Sequence, residues 1–139
     1  PVGRAVHHGA GQPLARASAA PVEVDYLPGC GLWVSRAAWE ATGGFDAALF
    51  LYYEDADLCR RVRAAGFGVR LAPRARMAHA GSRSTGVESP LSVYHLTRNR
   101  LRFVARHGSA GERAAALADL VRIAAGRSLR GDRRAGPSW

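Results

Sequence analysis

One stretch constrains this chain more than any other. Three acids, Glu54, Asp55 and Asp57, lie within four residues, and Leu58, Val62 and Ala65 follow at i, i+4 and i+7. That spacing puts the apolar side chains on one helical face, with Arg60, Arg61 and Arg63 elsewhere on the helix. Gly66 supplies a C-terminal stop, and Arg63 places a positive charge in the last turn. A helix that begins near Asp55 and ends before Gly66 is therefore the first element of the fold to be set.

The segments around it read as short and mixed. "VEVDYLP" (22–28) alternates apolar Val22, Val24 and Tyr26 with Glu23 and Asp25, a strand signal ended by Pro28. "GCGLWVS" (29–35) reads as a second short strand, whose glycines let the entry pass close to a ligand or another backbone. "SRAAWEATGG" reads as a short helix capped by Ser35 and stopped by Gly43-Gly44. Residues 67–73 and 75–80 read as extended pieces separated by Pro73, and 81–86 as a flexible loop. A long helix is expected from Ser89 or Ser92 to about Arg106, with Leu91, Tyr94, His95, Leu101 and Val104 partly in phase. Gly108 breaks it, and a second helix is expected over about 111–125, carrying Ala115, Leu117, Leu120, Val121 and Ala124. Residues 1–21 read as an irregular lead-in and the last dozen as disordered. These elements make an α/β chain with one core.

Charge distribution matters more than total charge. Residues 1–96 carry 10 arginines against 8 acids, whereas residues 97–139 carry 10 against 3; lysine is absent. The basic excess belongs to the C-terminal part, where it suits an anionic surface, nucleic acid or an acidic partner, or serves solubility alone. Cys30 and Cys59 form no CxxC, so neither a disulfide framework nor a zinc knuckle is signalled. No apolar run reaches the roughly 18 residues of a membrane span, and no signal-peptide pattern opens the chain. The expectation is a reduced, cytoplasmic protein with free thiols.

What do the three acids do? Capping is one account: acids in a first turn offset the exposed N–H groups and the positive end of the helix dipole, by about 0.3–1 kcal/mol each. Asp57 also stands four before Arg61, a favourable helix-surface pair. Metal binding by the Asp-x-Asp at 55–57 is a poorer account, because side chains at i and i+2 on a helix diverge by about 200°.

The surroundings supply a third account. "GGFDAALFLYYEDADLCRRVRAAGFGVRLAPRARMAHAGSRS" resembles the C-terminal catalytic stretch of family 2 glycosyltransferases, the inverting GT-A enzymes, and within them the rhamnosyltransferase and galactofuranosyltransferase-like branch. The shared features come in order: "DYLPGCGL" (25–32), "GGFD" (43–46), "FLYYEDADLCRR" (50–61), "GFGVRLAP" (66–73), the histidine of "MAHAGS" and the basic "RNRLRFVARHG" (98–108). The resemblance covers about residues 22–108, with 109–139 as a basic C-terminal helix and tail.

The resemblance implies a fold and roles. The fold would be the acceptor-side, C-terminal half of a GT-A domain with a Rossmann-like mixed sheet, followed by two basic helices. Asp55 matches the general base that takes the proton from the acceptor hydroxyl. Glu54, Asp57 and Tyr53 would bind acceptor or hold the loop, and Gly29 and Gly31 match small residues where the acceptor strand approaches the donor. His79, 24 residues after Asp55, matches a ligand to a divalent metal, Mn or Mg, on the donor diphosphate. Inverting displacement needs a carboxylate beside the attacking oxygen, and the departing diphosphate calls for a Lewis acid.

The implied reaction is transfer of a rhamnose-like or galactofuranose-like hexosyl group from a nucleotide-sugar donor. Its acceptor would be a glycan or polyprenyl-diphosphate-linked molecule in cell-envelope synthesis at the inner face of the membrane. The family's nucleotide pocket and remaining metal carboxylates belong to an N-terminal half without counterpart in these residues. The expectation is thus a truncated, metal-dependent transferase that is inactive as an isolated chain. The basic helices would make peripheral membrane contact. A basic nucleic-acid or anionic-surface binding module is the alternative, though it lacks any aromatic-basic platform, and no nucleic acid is expected.

Overall fold

The structure, a computed structural model, describes residues 20–79 and 89–129. The expectations for 1–19, 80–88 and 130–139 lie outside the described residues. Among the described residues one compact unit ends at Arg100 and a second begins at Leu101.

The first unit is built on helix packing. Helix α1 (Arg36–Thr42) starts at Ser35, whose hydroxyl accepts from the Ala38 N–H at 3.2 Å, and ends at Gly43 in the left-handed region (φ 73°). Both caps are those the sequence predicts, for the expected reasons. Helix α2 (Glu54–Ala64) packs against α1, and Leu58, Cys59 and Val62 bury their side chains with Ala38 and Val69. Val24, Tyr26, Leu27, Leu32, Val34 and Phe67 cover that cluster. Burying a Leu or Val contributes about 1.5–3 kcal/mol each, so this small core carries the unit.

Sheet content is lower than the sequence suggests. Strands β1 (Val22–Glu23) and β2 (Arg70–Leu71) pair antiparallel, with Val22 opposite Leu71 and Glu23 opposite Arg70. One more bond, Val24 N–H to Val69 C=O at 3.0 Å, extends the pairing. The second strand expected at 29–35 begins instead as a 3-10 turn, Gly29–Gly31, closed by Gly31 N–H on Pro28 C=O at 3.0 Å. Pro28 has no N–H for a ladder, and the flanking glycines favour the turn. Residues 75–79 are irregular rather than extended in a sheet, after a turn in which Ala75 N–H meets Ala72 C=O.

Helix α3 (Pro90–His107) starts after Ser89, whose hydroxyl accepts from Ser92 N–H at 3.1 Å. Its buried residues are Ser92, His95, Asn99, Arg100 and Val104, whereas Leu91 and Tyr94 are exposed. The apolar phase expected for this helix is therefore only half right, because much of its inward face is polar. In the second unit α3 ends at Gly108, where an added Cβ would meet Val104 C=O at 2.6 Å. Helix α4 (Ala110–Leu129) begins with a reciprocal cap: Ser109 N–H and hydroxyl meet the Glu112 carboxylate, and Glu112 N–H returns to the Ser109 hydroxyl. The helix continues through Ser128 and Leu129, the first two of the residues expected to be disordered.

Candidate functional site

The aromatic loop before α2 is where the local backbone departs most from ordinary geometry. Phe50, Tyr52 and Tyr53 all adopt positive φ, at 54°, 65° and 70°. Each such residue costs about 1–2 kcal/mol, because its Cβ crowds the following carbonyl. Tyr53 is the N-cap of α2 and makes no side-chain cap bond, so the helix is aimed by the loop and not by a capping hydroxyl. Asp57 N–H donates to Tyr53 C=O at 2.8 Å and closes the first turn.

The three acids then separate. Asp57 is buried at 1% exposure and pairs with Arg61 Nε at 2.8 Å. The same guanidinium donates to Thr42 C=O at 2.6 Å and Gly44 C=O at 2.7 Å. Asp57 is thus sealed into a bridge between α2 and the end of α1. Of the two roles the resemblance implies for it, binding acceptor or holding the loop, its burial and its pairing with Arg61 agree with a structural one. Asp55 faces outward. Its carboxylate accepts from Gly29 N–H at 2.9 Å and from Ala56 N–H at 2.7 Å. Residues 26 positions apart are so brought into contact, and a Cβ at Gly29 would lie 3.5 Å from the Asp55 Cβ.

Glu54 lies half-buried beside Asp55, with Oε2 buried and lacking a hydrogen-bond partner. Burial pushes its carboxyl up, its own backbone N–H draws it partly back, and the Asp55 charge pushes it up again. Burial likewise raises the Tyr26 hydroxyl, and Asp55 adds to that shift. Burial also raises the Cys59 thiol, against the opposing pull of the Leu27 backbone. Two neighbouring carboxyls thus occupy different surroundings, one drawn toward the protonated form and one held by backbone N–H donors. Such an arrangement can accept a proton at Asp55 from an oxygen that reaches its open side.

Not every expected residue joins this group. Gly31 faces Met77, whose Cε would lie 3.0 Å from an added Cβ. His79 is exposed on the irregular 75–79 segment. Among the described residues no three His, Cys, Asp or Glu side chains are grouped so as to hold a metal ion. A divalent ion usually needs several protein or phosphate ligands, so the described residues do not fit one. A hollow of about 350 Å³ lies elsewhere, lined by residues that include Leu27, Leu32, Trp33 and Leu58 and not by Asp55. It is mostly apolar and offers no carboxylate.

Sequence reasoning does not single out Asn99, yet it is a working residue. Its amide nitrogen donates to Leu49 C=O at 2.5 Å, Leu51 C=O at 2.7 Å and Tyr52 C=O at 2.9 Å. The available signal is its place in "RNRLRF", a polar residue on the face that periodicity assigns to the core. Two arginines counted as surface charge also turn inward: Arg100 is buried, and Arg98 is half-buried with its guanidinium on Ala48 C=O. Arg102, Arg106, Arg113 and Arg122 are exposed, with Arg122 paired to Asp119 at 3.2 Å. Among the described residues no helix is long and apolar enough to cross a membrane.

Comparison with known proteins gives a partial match. No family model matches the chain, and no solved structure matches it. Two curated relatives do: the N-acetylglucosaminyl-diphospho-decaprenol L-rhamnosyltransferase of Mycobacterium tuberculosis, from strain CDC 1551 / Oshkosh and from strain ATCC 25618 / H37Rv. Each is 39% identical over 74 residues, which is 52% of this chain. The match spans about a quarter, 24%, of each relative's length. A glycosyltransferase is therefore a distant relative of this chain over half its residues.

Proposed function

We propose that residues 22–108 form the acceptor-side part of an inverting GT-A glycosyltransferase of family 2 type, with Asp55 as general base. The observation that carries this reading is the Gly29–Asp55 contact at 2.9 Å. It joins the two motifs that matter most to the resemblance at one solvent-facing edge. Rhamnosyl transfer in the relatives, whose names specify a diphospho-decaprenol-linked sugar, supports a nucleotide-sugar donor and a polyprenyl-diphosphate-linked or glycan acceptor here.

In this mechanism the chain's own residues act on the acceptor. Its hydroxyl approaches Asp55, which takes the proton as the oxygen attacks the anomeric carbon from the face opposite the leaving diphosphate. The Gly29 N–H holds the Asp55 carboxylate in place, and glycine at 29 leaves room beside it for the acceptor. Glu54 and Tyr53 border the acceptor oxygen's approach. A divalent ion with His79 among its ligands would need further ligands from outside the described residues. Contact of the basic helices with the inner face of an anionic membrane would keep the chain where a lipid-linked acceptor is concentrated.

The test is a chimera in which residues 22–108 replace the corresponding part of the rhamnosyltransferase relative. With the unsubstituted chimera active, Asp55→Asn should lower turnover by about 10²–10⁴-fold and leave donor affinity in place. Near-normal turnover with Asn at 55 would remove Asp55 from the chemistry.

A further inference from the structure

The α3 face opposite the aromatic loop is polar where a core face should be apolar. Ser92, His95 and Asn99 fall at i, i+3 and i+7 and are buried at 2%, 7% and 0% exposure. Each meets the loop 48–53: Tyr52 hydroxyl donates to Ser92 Oγ at 3.3 Å, the His95 ring lies 5.5 Å from that of Phe50, and Asn99 takes three carbonyls. Arg98 adds its bond to Ala48 C=O.

We infer that Asn99 is a positioning residue for Asp55, holding the catalytic carboxylate against Gly29 by fixing the loop that aims α2. The loop needs such a hold. Phe50, Tyr52 and Tyr53 lie in the left-handed region; Tyr53 C=O meets the Asp57 N–H and Leu49 C=O the Leu51 N–H, while Leu51 and Tyr52 C=O face the Asn99 amide, and a buried carbonyl left unmet costs about 1–3 kcal/mol. One primary amide has two hydrogens, so two of the three carbonyls share one of them, and an apolar side chain would offer none. The last carbonyl it binds, on Tyr52, is one residue before the N-cap of α2 and three before Asp55. Asp55 is then fixed from two sides: its backbone by the loop that Asn99 clamps, its carboxylate by the Gly29 N–H. Releasing the clamp lets three costly φ angles relax, which turns the first turn of α2 and withdraws the carboxylate from Gly29.

This inference deepens the proposed function and rests on Asp55 as the base, but its test reads position and not turnover. In the 139-residue chain, the Gly29 amide resonance should follow ionisation of the carboxylate that it donates to, and Asp55→Asn should abolish that response. Asn99→Asp keeps the side-chain shape but removes both donors, and Asn99→Leu is the apolar match. In each, the Gly29 response should fall to a minor fraction, while the Ala38 amide, bonded to Ser35, stays in place. Full response at Gly29 in both variants would overturn the inference, and so would a wild-type Gly29 amide indifferent to Asp55.

If both variants unfold, hydrogen exchange in the wild-type chain decides. The Asn99 side-chain amide and the Gly29 N–H should open together as denaturant is added. Gly29 opening while Asn99 stays protected would overturn the inference. Should the chimera tolerate Asp55→Asn while Gly29 still responds to Asn99, only the base assignment falls.

Discussion

Asp55 and Asp57 stand two residues apart on the same first turn and have opposite fates. Asp57 is sealed under α1 with Arg61, whose guanidinium also ties down the carbonyls of Thr42 and Gly44. Asp55 is half-buried at the edge and held by backbone N–H groups from Gly29 and Ala56. Helical geometry separates the two side chains by about 200°. One therefore meets the core and becomes part of its scaffold, while the other meets solvent and keeps a carboxylate available. A triplet of acids is in this way divided between holding the protein and the chemistry proposed for Asp55.

The sharpest way to break that comparison is at Arg61. Arg61→Leu removes the ion pair of the buried Asp57 carboxylate together with the ties to Thr42 and Gly44, and should cost about 3–5 kcal/mol in chemical denaturation. A loss under about 1 kcal/mol would mean that Asp57 is no more structural than Asp55. Next is Gly44, whose carbonyl Arg61 holds. Its φ is 73°, and an added Cβ would lie 2.4 Å from the Trp39 ring. Gly44→Ala should cost about 2–4 kcal/mol, and a melting temperature equal to wild type would show that the turn can open without disturbing the bridge.

On the other side of the helix, effects on stability should be small. Asp55→Asn still offers an oxygen to Gly29 and should cost no more than about 1 kcal/mol, in contrast to its large effect on turnover in the chimera. A loss like that of Arg61→Leu would return Asp55 to the scaffold. Glu54 gives the smallest effect, and it depends on pH. Its folded carboxyl is raised above the ordinary value of about 4.3, so the native state holds its proton more tightly than the unfolded chain. That contribution is fully present below about pH 4.3 and is lost as pH rises through the folded value. Glu54→Gln should therefore raise the melting temperature slightly at neutral pH and not at about pH 4. An equal gain at both would show that charge at Glu54 plays no part.

The basic C-terminal part exposes less charge than its arginine count implies, since Arg98 is half-buried and Arg100 buried. The remaining exposed arginines should still give salt-sensitive recovery on anionic vesicles, at about 1 kcal/mol per arginine near the surface. Equal recovery on neutral vesicles at low salt would count against membrane contact.

Local signals in the chain are legible where the physics is local. Ser35 and Gly43 bound α1, Gly66 follows α2 and Gly108 ends α3, because caps and left-handed residues act over three or four neighbours. The i,i+4 pairing of Asp57 with Arg61 is legible for the same reason. Strand extent is not. A two-residue strand and a four-residue one look alike in period, and the pairing of Val22 depends on a distant partner, Leu71, rather than on a neighbour in sequence.

The sequence by itself determined where helices begin and end, which face of α2 is apolar, and that an acidic cluster meets an aromatic loop. Only tertiary structure decided that Asp57 is sealed and Asp55 open, that Gly29 donates to Asp55, and that a polar face of α3 carries the loop on Asn99. A carboxylate's role depends on what desolvates it and which donors converge on it. Gly29 lies 26 residues from Asp55, the carbonyls that Arg61 ties down lie 17 and 19 residues from it, and Asn99 stands 47 to 50 residues from the loop it holds, beyond the reach of any local pattern.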